Sequence, residues 1–139
     1  MTAPDWLGST VEYEGLPLAL RVRPGIESSF ETFPDLGELT HLLSDVKPNG
    51  LPRPDYNKSL MDFDEAVHEL LEANALGKMM IVETFGGRRA YYACVKNEAA
   101  HRAWCDSVRQ QYPEHELQSR FRFDRAASFY RKYRAEFGW

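Results

Sequence analysis

Residues 77–96 read GKMMIVETFGGRRAYYACVK, an apolar run, a glycine pair and a second apolar run without a gap. Met79-Met80-Ile81-Val82 and Tyr91-Tyr92-Ala93-Cys94-Val95 suit a pleated, half-buried surface. Gly86-Gly87 between them reach positive φ without steric cost, as a tight hairpin turn demands. The pattern predicts a β-hairpin. Its first strand is apolar on both alternations, either Met80, Val82 and Thr84 or Met79, Ile81 and Phe85. Such a strand sits centrally in a sheet, covered on both faces.

The other elements follow from the same reading. Residues 1–9 form a loose lead-in in which Trp6 is the residue to dock. Residues 11–15 read as a short strand and Leu16-Pro17 as a turn. Residues 18–23 then alternate, with Leu18, Leu20 and Val22 inward and Arg21 and Arg23 outward. Pro24-Gly25 stops that strand, and residues 26–36 read as a loop. Residues 36–46 fit either a helix, by leucine spacing, or a strand over 39–45, and local propensity leans to helix.

After a turn-rich connection at 47–56, residues 57–75 give the clearest helix. Its stripe is Leu60, Phe63, Val67, Leu70, Leu71 and Asn74. Ser59 and Asp62 form a candidate capping box, and Gly77 a left-handed stop. Asn97 caps a helix over 98–111 with Ala100, Trp104, Cys105 and Val108 inward, ended by Pro113. Residues 115–124, HELQSRFRFD, alternate strictly. Leu117, Ser119, Phe121 and Phe123 share one face, and Glu116, Gln118, Arg120 and Arg122 the other. Asp124 can cap a last helix over 126–135, with Phe129, Tyr130 and Tyr133 as its apolar side. Phe63, Leu70, Trp104 and Phe121 are the expected core anchors.

Composition narrows the class. At 139 residues, 43% hydrophobic, the chain is expected to fold as one domain. The net charge of −4 and the pI of about 5.6 argue against wholesale nucleic-acid binding. Two cysteines make no disulfide framework and no metal spacing. The N-terminus has neither a basic start nor an apolar core, and no apolar run approaches the ~20 residues that span a bilayer. The expectation is a cytoplasmic protein with no membrane association.

Four landmarks taken together resemble a bacterial family called domain of unknown function 695. They are Asn49-Gly50-Leu51-Pro52, the helix NKSLMDFDEAVHELLE at 57–72, TFGGRRAYY at 84–92, and Asp124 followed by a tyrosine-containing helix. The resemblance covers most of the chain from residue 11 onward. The chain departs from it at the close: Arg125 follows Asp124 where the family has Asp-Pro-x-Trp, and no Trp follows until Trp139. The resemblance implies that 39–45 is a strand. The order from there is β-α-β-β-α-β, the split βαβ pattern of ferredoxin-like folds. The expected α+β fold has an antiparallel sheet with two helices on one face, an N-terminal hairpin extending it, and a short C-terminal helix. Members of that family are sometimes fused to a domain similar to the regulator of ribonuclease activity B, which binds and restrains a ribonuclease.

No catalytic pattern emerges from the residues. His41, His68, His101 and His115 fall at no ligand spacing, so no metal or cofactor is expected, and the glutamates around His68 read as a solvated helix face. Cys94 and Cys105 read as small buried hydrophobes. Gly86-Gly87 opens a strand rather than a phosphate-binding helix. Arginine placement is the one distinctive feature, since twelve of the 17 basic residues are Arg. Arg21, Arg23, Arg120 and Arg122 alternate outward on two strands, and Arg88 and Arg89 begin a third near Tyr91. In one sheet these seven residues would form a basic face for an acidic protein segment, a carboxylate or RNA. Alternatively they keep an open face soluble, with Glu14, Glu83 and Glu116 as cross-strand partners. The leading reading is a non-enzymatic protein-binding or regulatory domain. A small enzyme with a dispersed site, and an RNA-binding module, are the alternatives.

Overall fold

The computed structural model describes residues 6–138. Its organising hairpin is β4 (Gly77–Phe85) and β5 (Arg88–Val95). Gly86 and Gly87 both take positive φ, 60° and 81°, so the turn twists with the strands it joins. A register shift between Met79 and Ile81 breaks the simple alternation of β4. Met79 and Val82 therefore enter one core, and Met80 and Ile81 the other. Neither of the two face sets expected from the sequence survives this bulge.

The sheet has six antiparallel strands. An N-terminal hairpin, β1 (Leu7–Tyr13) and β2 (Leu16–Val22), lies beside β4. On the other side β3 (Asp35–Leu42) pairs with β5, and β6 (Glu116–Arg125) pairs with β3. The order is β1-β2-β4-β5-β3-β6, so β5 lies between β3 and β4, and β3 between β5 and β6.

Several boundaries differ from expectation. Strand β1 starts at Leu7, inside the expected lead-in, and the hairpin turns at Glu14-Gly15 (φ 51° and 80°), not at Leu16-Pro17. The third strand covers 35–42 rather than 39–45, because Leu36 and Leu39 reach into the two opposite cores at strand spacing. A single 3-10 turn, Ile26–Ser29, occupies the expected loop.

The long helix is broken in two, α1 (Pro54–Ser59) and α2 (Met61–Glu72), at Leu60. Ser59 is no cap. Its hydroxyl donates to the Tyr56 carbonyl at 2.6 Å. Phe63, Val67 and Leu71 are buried as the stripe requires, Leu70 is half-buried and Asn74 exposed. The left-handed residue after α2 is Ala75 (φ 54°), not Gly77. Gly77 is required for another reason: a Cβ there would stand 2.3 Å from the Cys94 carbonyl oxygen.

Helix α3 (Glu98–Gln111) begins as the sequence indicates, the Asn97 side chain accepting from the Ala100 N–H at 2.8 Å. Its Trp104 is fully buried and donates to the Val67 carbonyl, tying α3 to α2. Phe121, an expected core anchor, is half-buried against His101. Helix α4 (Ala126–Glu136) buries Tyr130 and Tyr133.

The largest departure concerns the layers. Helices α2 and α3 pack on one face with Leu39, Val82, Tyr91 and Val95. Helix α4 covers part of the opposite face with Leu18, Leu20, Val22, Leu36 and Ile81. The structure is a sheet with helices on both sides, and the expected fully open face does not exist.

The loop before α1 explains two of the sequence landmarks at once. Gly50, at φ 90°, lies against the β4–β5 turn. Its carbonyl accepts from the Gly87 N–H at 2.9 Å, and the Leu43 N–H donates to the Gly87 carbonyl. A Cβ on Gly50 would come within 2.9 Å of the Gly86 backbone. Asn49-Gly50 and Gly86-Gly87 are the two halves of one close backbone contact.

Candidate binding site

Strand pairing sorts the seven arginine and tyrosine candidates onto opposite faces. On the α2 side stand Arg21, Arg23, Arg89 and Tyr91, and on the α4 side Arg88, Arg120 and Arg122. Leu18, Leu20 and Val22 belong to the α4 face, while Phe121 faces α3. The single basic face expected from the sequence therefore divides in two. Alternation was correctly read over 18–23 and over 116–122. The relative phase of β2 and β6 was not, because helices cover both faces of the sheet: the apolar side of β2 meets α4, and that of β6 meets α3.

On the α2 side the cations are matched by a helix. Arg21 donates to Asp64 Oδ1 at 3.0 Å, and Arg23 forks onto Glu72 at 2.9 and 3.1 Å. Trp6 lies over both guanidinium groups, at 5.8 and 5.9 Å from its ring centre. This is the docking expected of Trp6. The Tyr91 hydroxyl donates to the same Asp64 oxygen at 2.9 Å. Burial works to raise the Asp64 carboxyl, but Arg21, His68 and these two hydrogen bonds outweigh it and hold it below its ordinary value. Tyr91 is fully buried, with its hydroxyl pushed well up by burial and by Asp64, so it offers no ring for a base to stack on. Arg89 donates to Thr84 Oγ1 at 2.9 Å and to Asn57 Oδ1 at 2.7 Å.

On the α4 side, helix α4 leaves one end of the sheet uncovered. Thr40, Ala90, Gln118 and Arg120 line a concavity of about 740 Å³ there, together with Glu38, Glu83 and Tyr92. Glu83 accepts from the Tyr133 hydroxyl at 3.0 Å. Its carboxyl is pushed up by burial and by repulsion from Glu38 and Glu136, against that hydrogen bond. Arg122 stands 3.3 Å from Asp124 and 3.9 Å from Glu38, and over the Phe129 ring. The partners of the arginines are thus Asp64, Glu72, Glu38 and Asp124 rather than Glu14, Glu83 and Glu116. Among the described residues, Arg88 and Arg120 have no carboxylate within 4.0 Å.

Sequence reasoning missed Phe123. Alternation places it inward with Phe121, yet it is 97% exposed. The β3–β6 register runs from Leu36 opposite Arg122 to Asp35 opposite Arg125, so Phe123 and Asp124 have no partners in β3. This bulge re-aims Phe123 off the edge strand. Asp124 is consequently no helix cap; Arg125 holds that position without a side-chain bond.

Nucleophile chemistry is muted. Burial pushes the Cys94 thiol up to about 11 and the Cys105 thiol up to about 12. Among the described residues, no three His, Cys, Asp or Glu side chains converge as metal ligands.

The profile of a protein family, described as a family of unknown function (DUF695), matches residues 9–133. The chain belongs to that family. The match runs from β1 to the third turn of α4, so the DUF695 unit includes both helical layers and all but the first two residues of the sheet. The DUF695 landmarks in the sequence are the structural contacts already described: the Gly50 loop, the broken α1–α2 helix and the β4–β5 turn. Arg120, Arg122 and Phe123 also fall within the matched segment. No curated protein matches the chain.

Proposed function

We propose that this DUF695 domain is a non-enzymatic binding module that docks an extended, acidic segment of a partner protein along β6. The observation that carries the proposal is Phe123, a phenylalanine 97% exposed on an arginine-rich edge strand. An edge strand presents unpaired backbone groups that a second chain can extend. The first seven residues of β6 pair regularly with β3 up to the bulge, so the outer edge is a straight template over that stretch. Aromatic and arginine side chains are the types that dominate protein interfaces. Arg120 brings a guanidinium without a carboxylate partner, which favours an acidic ligand. We place the protein in the cytoplasm; its two cysteines are free, buried thiols on opposite faces of the sheet. No helix of the described residues is long and apolar enough to cross a membrane.

Selection from a displayed library of random peptides of about the length of β6 tests this reading. Enriched sequences should be acidic with one apolar residue, and their binding should weaken as salt rises. Arg120→Gln with Arg122→Gln, and separately Phe123→Ser, should lose at least about tenfold in affinity while folding normally. Absence of enrichment, or equal binding by both folded variants, would refute the proposal.

A further inference from the structure

The second feature lies on the other face of the sheet, away from β6. Strand pairing puts Thr10, Ala19, Thr84 and Arg89 in one cross-strand row, and Gly8, Arg21, Val82 and Tyr91 in the next. The middle of this platform is small: Gly8, Ala19 and Thr84. Long side chains stand at its ends, with α1 and α2 along one wall. The result is a hollow of about 520 Å³, bordered by Arg21 and Arg89 and walled by Asn57, Leu60, Met61 and Asp64. Hollows of a few hundred Å³ with apolar walls and a few convergent polar groups are where small molecules bind.

The charges are unequal. The ionisable residues lining the hollow are Arg21, Arg89 and Asp64, one more cation than anion. Asp64 is committed to Arg21 and Tyr91. Arg89 is held by neutral oxygens only, Nε on Thr84 Oγ1 and Nη2 on Asn57 Oδ1. These two bonds fix the plane of the guanidinium without neutralising it. Among the described residues, Nη1 of Arg89 has no protein acceptor, and no carboxylate lies within 4.0 Å of the group. A planar guanidinium pinned along one edge, with its charge unmet, is pre-organised for an anion. The apolar part of the lining is Leu60, Val82 and the 65% exposed Met61, whose unbranched thioether adapts to irregular shapes.

We propose that this hollow binds a small organic monocarboxylate. The carboxylate sits on Arg89 with support from Arg21, and the aliphatic body lies against Leu60, Met61 and Val82. The site needs one negative charge and one short apolar chain, which distinguishes it from the peptide-docking edge on β6.

Titration of the full, nitrogen-15-labelled chain with hexanoate, followed by NMR, tests the assignment. Hexanamide serves as the neutral match. Hexanoate should shift the amides of Thr10, Ala19, Thr84 and Arg89 saturably, with a Kd of about 1 mM or tighter. Hexanamide should bind at least about tenfold more weakly, and Arg89→Gln should lose at least about tenfold toward hexanoate. Ala19→Leu fills the floor without touching a charge and should lose binding as well. If Arg89→Gln does not fold, Ala19→Leu and the hexanamide comparison decide on folded protein. Phe123→Ser should bind hexanoate like the parent, so failure of the docking proposal would leave this result untouched. No saturable shifts at those residues, equal binding of hexanamide, or undiminished affinity in a folded variant would overturn the assignment.

Discussion

His41 should make the protein lose about 3 kcal/mol of stability between about pH 7 and pH 4. The residue is 1% exposed and sits among Phe63, at 4.8 Å between ring centres, and His115, at 4.7 Å. Its Nδ1 is buried without a partner among the described residues. Burial, and then the neighbouring His115 and Arg89, lower its pKa from the ordinary 6.5 to about 4. The unfolded chain therefore takes up a proton near pH 6.5 that the folded chain refuses until about pH 4. Stability from this group is complete above pH 6.5 and is lost as the pH falls toward 4. A shift of about 2.5 units corresponds to about 3 kcal/mol. Other groups titrate in or near the window. His101, lowered by burial, acts in the same direction, and Glu83, raised, acts in the opposite one. Asp64, held low, matters only at more acidic pH. The comparison that isolates His41 is the parent against His41→Leu, of similar volume. Urea unfolding across the window should show the parent losing about 3 kcal/mol more than the variant. Equal pH slopes, or a His41 ring signal titrating near 6.5, would refute the reasoning.

Two further outcomes follow from packing. Phe63→Ala and Trp104→Ala should each cost about 3–5 kcal/mol in urea unfolding, since both side chains are almost wholly buried between α2, α3 and the sheet, and unchanged midpoints would show the core is elsewhere. Gly50→Ala should cost about 2–3 kcal/mol by the same assay, from its φ of 90° and the collision with Gly86, whereas Gly15→Ala, at φ 80° in open space, should cost about 1 kcal/mol; equal losses would mean that the loop does not clasp the turn.

Local pattern revealed the hairpin, helix α3 with its Asn97 cap, and the alternation of β2 and β6, because each depends on residues adjacent in sequence. Where local propensity and the family resemblance disagreed, over 36–46, the structure has a strand, displaced four residues toward the N-terminus at its start. What stayed hidden depends on register. The bulge at Met80 puts the neighbours Met80 and Ile81 into the same core, and the bulge at Phe123 and Asp124 turns an apparently inward aromatic outward. A two-residue insertion in a strand leaves no mark in a pattern of period two that ends there anyway. The split of the arginines has another origin, the helix α4, whose apolar side was visible but whose choice of face was not. The Arg89 hollow was beyond reach, since it arises from small residues on β1, β2 and β4 lying opposite α1, elements far apart in the chain.

The most direct test of the account is where a bound peptide protects the backbone. Amide hydrogen exchange, measured on the full chain with and without an acidic peptide taken from the selection, reads this strand by strand. The account predicts slowed exchange confined to the regular part of β6, ending at the Phe123 bulge, with β1 unchanged. Protection on β1, the other edge of the sheet, or none on β6, would contradict it.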